Sequence, residues 1–202
     1  MKIKKLISAL VLGSMLVGLS GCNITDFSAE NLLRPPKAVG DEAEIEQLIA
    51  KTADSGYTLK YPKNGKFRSA IIMTDLDGND SNEAVAFFRN SAETSSVHML
   101  VMYSKDNSWE IASDNIFETT DIDSVDFADL TGNGKAEIIV NSTTYTPNVG
   151  KLSCYSYSEG KTNEVGSGQS CSSFVTGDFD NDGTSEIMSL VLYTTENEAL
   201  AS

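Results

Sequence analysis

Apolar and polar residues alternate with a period of two from Tyr57 onward, a pattern typical of strands that bury one face. The sequence therefore predicts an all-β fold of antiparallel strands. A hairpin is expected between residues 57–61 and 66–73, because Pro62-Lys63-Asn64-Gly65 between them is a turn sequence. The expected strands cover residues 57–61, 66–73, 83–88, 96–104, 109–113, 124–130, 137–142, 151–157, 163–165, 172–177 and 186–194.

Residues 41–53 form the one segment with a convincing helical period. Asp41 is placed to cap this short N-terminal helix, and Glu44 follows three residues later, as in a capping box. We expect the apolar stripe of the helix to pack against the strands, with partner binding as the alternative. The stripe consists of Ile45, Leu48 and Ile49.

Three copies of one short motif divide the β-region. Each copy has Asp at position 1, an oxygen-bearing side chain at positions 3 and 5, and Glu at position 9, and two copies have Gly at position 6. The copies occupy residues 75–83, 129–137 and 178–186, so they start 54 and then 49 residues apart. Four expected strands lie between successive copies, which is the content of one propeller blade.

The motif has the chemistry of a calcium loop. Calcium takes six to eight oxygen ligands, and oxygen groups at alternate positions of a curled loop can converge on one point. The candidate ligands are Asp75, Asp77, Asn79 and Glu83 in the first copy, Asp129, Thr131, Asn133 and Glu137 in the second, and Asp178, Asp180, Asp182 and Glu186 in the third. An ordinary surface turn is the competing interpretation of a single copy.

The number of carboxylates ranks the three copies. The third should bind calcium most tightly, and the second, with two carboxylates, should be weakest or empty. In the first copy Asp80 occupies the position of Gly and should be strained at positive φ. An EF-hand is rejected, because position 12 is Ala86, Val140 or Ser189 and strands follow instead of helices.

These loops resemble the calcium loops of FG-GAP/VCBS repeats, the blade units of integrin-α-like β-propellers, and the resemblance covers the chain from Tyr57 onward. It implies four-stranded blades, calcium as a structural cofactor, and a binding module. The Phe-Gly and Gly-Ala-Pro signatures that name the family are absent from this sequence. Closed propellers have about four to eight blades, whereas this sequence contains two complete blades and a partial unit at each end. We therefore expect a truncated array, with a smaller open array as the alternative.

The N-terminus has the pattern of a bacterial lipoprotein signal. Lys2, Lys4 and Lys5 precede an apolar stretch over residues 6–19. The following Leu-Ser-Gly-Cys resembles a lipobox, which implies a diacylated Cys22 and a membrane anchor outside the cytoplasm. An ordinary signal peptide that contains a cysteine is the alternative. The expected segments are 1–21 signal peptide, 22–40 lipidated cysteine and tether, 41–56 helix, and 57–202 repeats.

The charge balance limits the partners. The chain has 15 basic and 29 acidic residues and a net charge of −14. Loss of residues 1–21, which carry three Lys and no acid, would leave −17. So acidic a chain should not bind nucleic acid or an anionic lipid surface through charge. A cation binder and a soluble surface protein both fit this balance.

Cys154 and Cys171 form an even pair once Cys22 is assigned to lipid. On the second and fourth strands of a blade they would lie about 9–10 Å apart, beyond the roughly 7 Å limit between Cα atoms of a disulfide. The Gly-rich segment between them could fail to pair and bring them together. The sequence leaves both a disulfide and free thiols open.

No catalytic motif is recognisable, and the only histidine, His98, lies in an expected strand without triad or zinc partners at a familiar spacing. The predicted function is therefore a lipid-anchored, calcium-binding β-propeller module of the bacterial cell envelope that binds a protein or glycan without catalysis. The alternatives are an accessory domain of a secreted enzyme whose catalytic part is not in this chain, and a structural spacer.

Overall fold

A computed structural model describes residues 40–54, 56–93, 95–146 and 148–192. The expected signal peptide, Cys22 and most of the tether lie outside these residues. Within the described ranges the chain forms one helix followed by eleven strands. These are α1 (Asp41–Ala53), β1 (Tyr57–Leu59), β2 (Ile71–Thr74), β3 (Glu83–Asn90), β4 (Val97–Lys105), β5 (Ser108–Phe117), β6 (Ile122–Ala128), β7 (Glu137–Thr143), β8 (Gly150–Ser158), β9 (Lys161–Cys171), β10 (Ser173–Gly177) and β11 (Glu186–Leu190).

The strands form three antiparallel sheets. The first contains β1 to β5, the second has the order β6-β7-β8-β9, and the third pairs β10 with β11. The prediction of a mostly β fold with antiparallel sheets and one short helix is confirmed, and the second sheet has the predicted four strands. Among the described residues the sheets do not close into a barrel or a propeller.

The start of the first sheet differs from the predicted hairpin. Strands β1 and β2 do not pair with each other; both pair with β3, one after the other along the same edge. Between them residues 61–69 leave the sheet, where Pro62 has no N–H to donate to a ladder. The N–H groups of Lys63 and Asn64 instead donate to the carbonyls of Ile122 and Asp123, at 3.2 and 2.7 Å. The excursion therefore joins the first sheet to the second.

The boundaries of the sheets also differ from the predicted blade. The strand before each motif belongs to the same sheet as the strand after it, since β2 pairs with β3, β6 with β7 and β10 with β11. The four strands counted between two motifs therefore belong to two sheets. The weak strand expected at 163–165 is part of β9, which spans eleven residues and pairs with β8 through two register shifts.

The helix has the predicted limits but not the predicted cap. Gly40 precedes its first turn, and no side chain caps the helix. The Glu44 carboxylate instead accepts a hydrogen bond from the Trp109 N–H at 3.3 Å. The packing of the apolar stripe is confirmed, because Ile45 and Ile49 are fully buried against one face of the first sheet and Leu48 packs beside them.

The apolar side chains place the elements in layers. In β3, Phe88 faces the helix whereas its neighbour Phe87 joins a cluster with Ile138 and Val140 of the second sheet. The opposite face of the second sheet presents Ile139, against which side chains of the third sheet pack. The order of the layers is therefore helix, first sheet, second sheet, third sheet. Strand β3 is buried on both faces, which explains its continuous apolar run.

A disulfide between Cys154 and Cys171 is not formed, and both thiols are free. Cys154 pairs with Gly166 across the β8–β9 ladder, whereas Cys171 pairs with Gly150, four residues away along β8. Four residues of strand span about 13 Å, well beyond disulfide reach. The cysteines lie on adjacent strands, because β9 continues to Cys171, but their register separates them. Burial raises the pKa of both thiols.

An ion-pair group joins the excursion to the start of the second sheet. The ammonium groups of Lys60 and Lys63 lie 2.5 and 3.1 Å from the two carboxylate oxygens of Asp121. Desolvation raises the pKa of Asp121, but the hydrogen bonds and charges of the two lysines outweigh it, so this pKa lies below its usual value. The ionised carboxylate is therefore favoured in the folded state.

Asp121→Asn should lower the free energy of unfolding at neutral pH by about 1 kcal/mol, the upper value for a partly exposed pair. Because the folded pKa is lowered, the pair stabilises the fold above the unfolded pKa of about 4 and loses this effect as pH falls through the folded pKa. Urea unfolding between about pH 2 and pH 7 measures the difference. The Glu159→Gln variant is the control, because it removes an exposed carboxylate that forms no ion pair in the described part of the chain. Equal curves for wild type and Asp121→Asn would contradict this role of the pair.

Candidate metal centre

Each motif forms the turn between two strands that pair antiparallel in the same sheet. We define loop 1 as residues 75–83 between β2 and β3, loop 2 as 129–137 between β6 and β7, and loop 3 as 178–186 between β10 and β11. The last residue of each loop, Glu83, Glu137 or Glu186, is also the first residue of the following strand. Antiparallel pairing therefore holds the two ends of every loop in the same way.

The Asp at position 1 organises the backbone of each loop. The N–H of the residue at position 6 donates to its Oδ2 in all three loops, at 2.9 Å in loop 1, 2.7 Å in loop 2 and 2.9 Å in loop 3. Further N–H groups donate to Oδ1, three in loop 2 and two in loop 1. These N–H groups stabilise the ionised form. They outweigh desolvation, so the pKa values of Asp75 and Asp129 are lowered.

The Glu at position 9 closes each loop from the other side. One of its oxygens accepts the N–H of the residue at position 2, from Leu76, Leu130 or Phe179, at 2.8 Å in every copy. Glu83 and Glu137 are only 3% and 2% exposed. Loops 1 and 2 therefore bury a glutamate at the start of a strand, although carboxylates are rarely buried in proteins.

Two positions in each loop have positive φ. Position 6 was predicted from the sequence, and Asp80 does adopt φ 65°, in the left-handed region that Asp tolerates better than most residues. Position 4 was missed, although Gly78 and Gly132 share it and have φ 74° and 70°. Gly78 is also required by space, because a Cβ there would lie 2.8 Å from the Gly134 carbonyl oxygen. This contact depends on the neighbouring loop.

The three loops form a row along one edge of the layered sheets. The Ala136 N–H of loop 2 donates to the Leu76 carbonyl of loop 1 at 3.0 Å. The Ser185 N–H of loop 3 donates to the Asp129 carbonyl of loop 2 at 2.8 Å. The backbone of each loop is therefore hydrogen-bonded directly to that of its neighbour.

Carboxylates converge in two of the loops. In loop 3, Asp178, Asp180, Asp182 and Glu186 offer oxygens that all lie within 4.8 Å of one another. In loop 1, Asp75, Asp77 and Glu83 do the same. Loop 2 contains only two carboxylates, Asp129 and Glu137, beside the neutral Thr131 and Asn133.

The position-5 side chains have a structural partner as well. The Oδ1 atom of Asn79, Asn133 or Asp182 accepts the N–H of the residue two positions later, at 2.7 to 2.8 Å. This is the hydrogen bond of an Asx turn. The same oxygen has a second lone pair, so the turn leaves acceptor capacity for a cation.

The electrostatics of loop 1 favour a bound cation. Desolvation raises the pKa of Glu83, and the nearby charges of Asp77 and Asp75 raise it further, against the lowering by the Leu76 N–H. The buried Oδ1 of Asp77 has no hydrogen-bond partner in the described part of the chain. A buried acceptor without a donor is costly, and a cation among these three carboxylates would satisfy it.

Sequence reasoning missed the surroundings of His98. The residue is 6% exposed, with Nδ1 2.9 Å from Asp114 and Nε2 3.2 Å from Glu93. Ser96 Oγ donates to Glu93, not to His98, so no histidine-activated hydroxyl is present in this group. The Asp114 contact comes from the pairing of β4 with β5, whereas Glu93 lies in the connection between β3 and β4. The histidine links two acidic side chains.

No known family, curated protein or solved structure matches the chain. No helix in the described part of the chain is long and apolar enough to cross a membrane. The geometry of the loops is therefore the main indication of function.

Proposed function

We propose that this chain is a calcium-binding, non-catalytic binding module built from propeller-type blades and anchored by lipid to the bacterial cell envelope. The observation that carries the proposal is the shared geometry of the three loops. Each has its Asp at position 1 held by backbone N–H groups and its Glu at position 9 held by the N–H of position 2. Two of the loops gather three or four carboxylates within 4.8 Å.

The donor set favours calcium over other common cations. The clustered ligands are carboxylate oxygens, without the cysteine or histidine that zinc prefers. Magnesium demands near-ideal octahedral geometry and keeps several waters, whereas calcium accepts irregular cages of carboxylate, amide and carbonyl oxygens. Loop 3 offers four carboxylates, and loop 1 offers three together with the amide side chain of Asn79 in the same loop.

The connection between the first two sheets supports the propeller-type assignment. Strand β5 is at the far edge of the first sheet, and the chain then returns to β6, the edge strand that opens the second sheet. The two sheets pack face to face through the cluster that contains Phe87 and Ile138. Repetition of this unit is how propeller blades are arranged around an axis.

The anchor is proposed from the sequence of the N-terminus. A Leu-Ser-Gly-Cys ending after an apolar segment fits acylation of Cys22, and residues 23–40 would separate the lipid from the helix. Mass spectrometry of the membrane fraction should find diacylglycerol on an N-terminal Cys22. A soluble protein with a mature N-terminus elsewhere would remove the anchor from the proposal.

Calorimetric titration of calcium into the chelator-stripped full chain tests the metal function. Saturable binding should appear at micromolar to millimolar calcium, the range of sensor and extracellular calcium sites. Magnesium should bind more weakly. Asp106→Asn is the matched control, because Asp106 lies in the β4–β5 turn at the same edge but outside the loops. Absence of saturable calcium binding up to millimolar concentration would refute the metal function.

A further inference from the structure

The edge of the first two sheets opposite the metal loops contains a cleft. A cavity of about 600 Å³ lies beside Glu93 and Ser96, and a second of about 410 Å³ lies beside Lys151 and Glu164. Both are lined by Ile116, Glu118 and Tyr145, which come from the end of β5 and the connections that follow β5 and β7. We call this joined space the Tyr145 cleft.

Two large side chains on the wall of the cleft face solvent. Tyr145 is 90% exposed and Ile116 is 58% exposed. An exposed apolar side chain alone needs no explanation, but these two flank the junction of two cavities. Tyrosine at such a place gives a rigid contact area with a polar end, and it is enriched among residues that dominate binding energy. The wall can therefore hold the side chains of a ligand.

The charges of the cleft are mostly negative. Glu93, Glu118 and Glu164 line it, and Lys151 is the one basic residue among the lining residues of the two cavities. In the described part of the chain neither Glu118 nor Glu164 takes part in an ion pair. Unpaired carboxylates beside an exposed aromatic ring suit a cation, which carboxylates attract by charge and the ring face attracts by its quadrupole.

We infer that the Tyr145 cleft binds a basic peptide segment, with an arginine or lysine side chain over Tyr145 and beside Glu118. This inference rests on the proposed binding function and names its site and partner class. A peptide fits better than a single amine, because carboxylates line both cavities on either side of the Tyr145 junction. The net charge of −14 attracts such a partner from a distance. Ile116 offers an apolar contact for a neighbouring side chain of the peptide.

The probe is a fluorescein-labelled synthetic peptide of alternating Arg and Ser, titrated into the full chain in calcium buffer and followed by fluorescence anisotropy. Saturable binding is expected, and it should weaken as sodium chloride rises from about 50 to about 500 mM. Tyr145→Ala should weaken binding about two- to fivefold through loss of the cation–π contact. Glu118→Gln should have an effect of similar size. Lys151→Gln should strengthen binding, because it removes the positive charge that would repel a basic peptide.

Matched controls separate the cleft from general acidity. Tyr61→Ala removes another exposed tyrosine, and Glu159→Gln removes another exposed carboxylate; neither residue lines the cleft, so both variants should bind like wild type. Equal losses in these controls, no saturable binding, or binding of a cationic aminosugar oligomer in place of the peptide would each overturn the inference. If the protein binds calcium but not the peptide, only the inference about the Tyr145 cleft is refuted. If it does not bind calcium, the proposed metal function is refuted.

Discussion

Adding calcium to the chelator-stripped protein should raise its melting temperature by several degrees or more. A ligand that binds only the folded state stabilises it by about 2.7 kcal/mol per site at a hundredfold excess over Kd. For a chain of this size each kcal/mol corresponds to roughly 2–4 °C. The effect is expected to be large because loop 1 holds Glu83 and the unpartnered oxygen of Asp77 at the start of a buried strand.

Thermal unfolding by circular dichroism, in calcium or in excess chelator at constant ionic strength, measures this shift. Constant ionic strength matters because the chain carries a net charge of −14, and any salt screens repulsion among its acids. Magnesium at the same concentration is the control for charge screening by a divalent ion. The calcium hypothesis is falsified if millimolar calcium leaves the melting temperature of the stripped protein unchanged, or if magnesium raises it equally.

The sequence was informative wherever structure depends on neighbouring residues. The limits of α1 followed from its 3.6-residue period, and the loops followed from a motif whose hydrogen bonds join residues within nine positions. Strand positions were largely correct for the same reason, because burial of alternate side chains is encoded along the strand. The sequence therefore predicts all four candidate ligands of loop 3, and their carboxylates converge in the structure.

Features that depend on pairing between distant segments could not be predicted. The hairpin prediction failed because β3 offers eight residues, enough for β1 and β2 to pair with it in turn. Cys154 and Cys171 were separated by register along adjacent strands, which spacing in the sequence does not fix. The contact of His98 with Asp114 depends on the β4–β5 register in the same way.

The glycine shared at position 4 of two motifs is a sequence signal for positive φ that the predicted motif did not include. Gly78 and Gly132 occupy the same place in two motifs, and positive φ explains this in each loop alone. The stronger constraint at Gly78, the approach of the Gly134 carbonyl, arises from the stacking of two loops. A single motif contains no information about its neighbour.

The hydrogen bonds of the position-1 aspartates determine which substitution can compare the calcium affinities of the loops. Asp129 accepts four backbone N–H groups and Asp178 accepts two, so alanine at either position would break the loop frame as well as remove a ligand. Asparagine removes the charge but keeps one oxygen acceptor. The pair Asp178→Asn and Asp129→Asn therefore compares the contribution of ligand charge with less disturbance of the backbone.

Asp178→Asn should abolish the tightest phase of calcium binding or weaken it by about tenfold or more. Removing a residue that only hydrogen-bonds to a metal ligand already costs about tenfold in metal affinity, and Asp178 is a candidate ligand itself. Asp129→Asn should leave that phase intact, because loop 2 contains two carboxylates whereas loop 3 brings four together. Calorimetric titration of both variants, with Asp106→Asn as control, measures the difference. The calcium-dependent part of the melting temperature should fall in the same order. If Asp129→Asn removes the tightest phase while Asp178→Asn retains it, the number of charged ligands does not determine the ranking of calcium affinities. The backbone hydrogen bonds around Asp129 would then determine it.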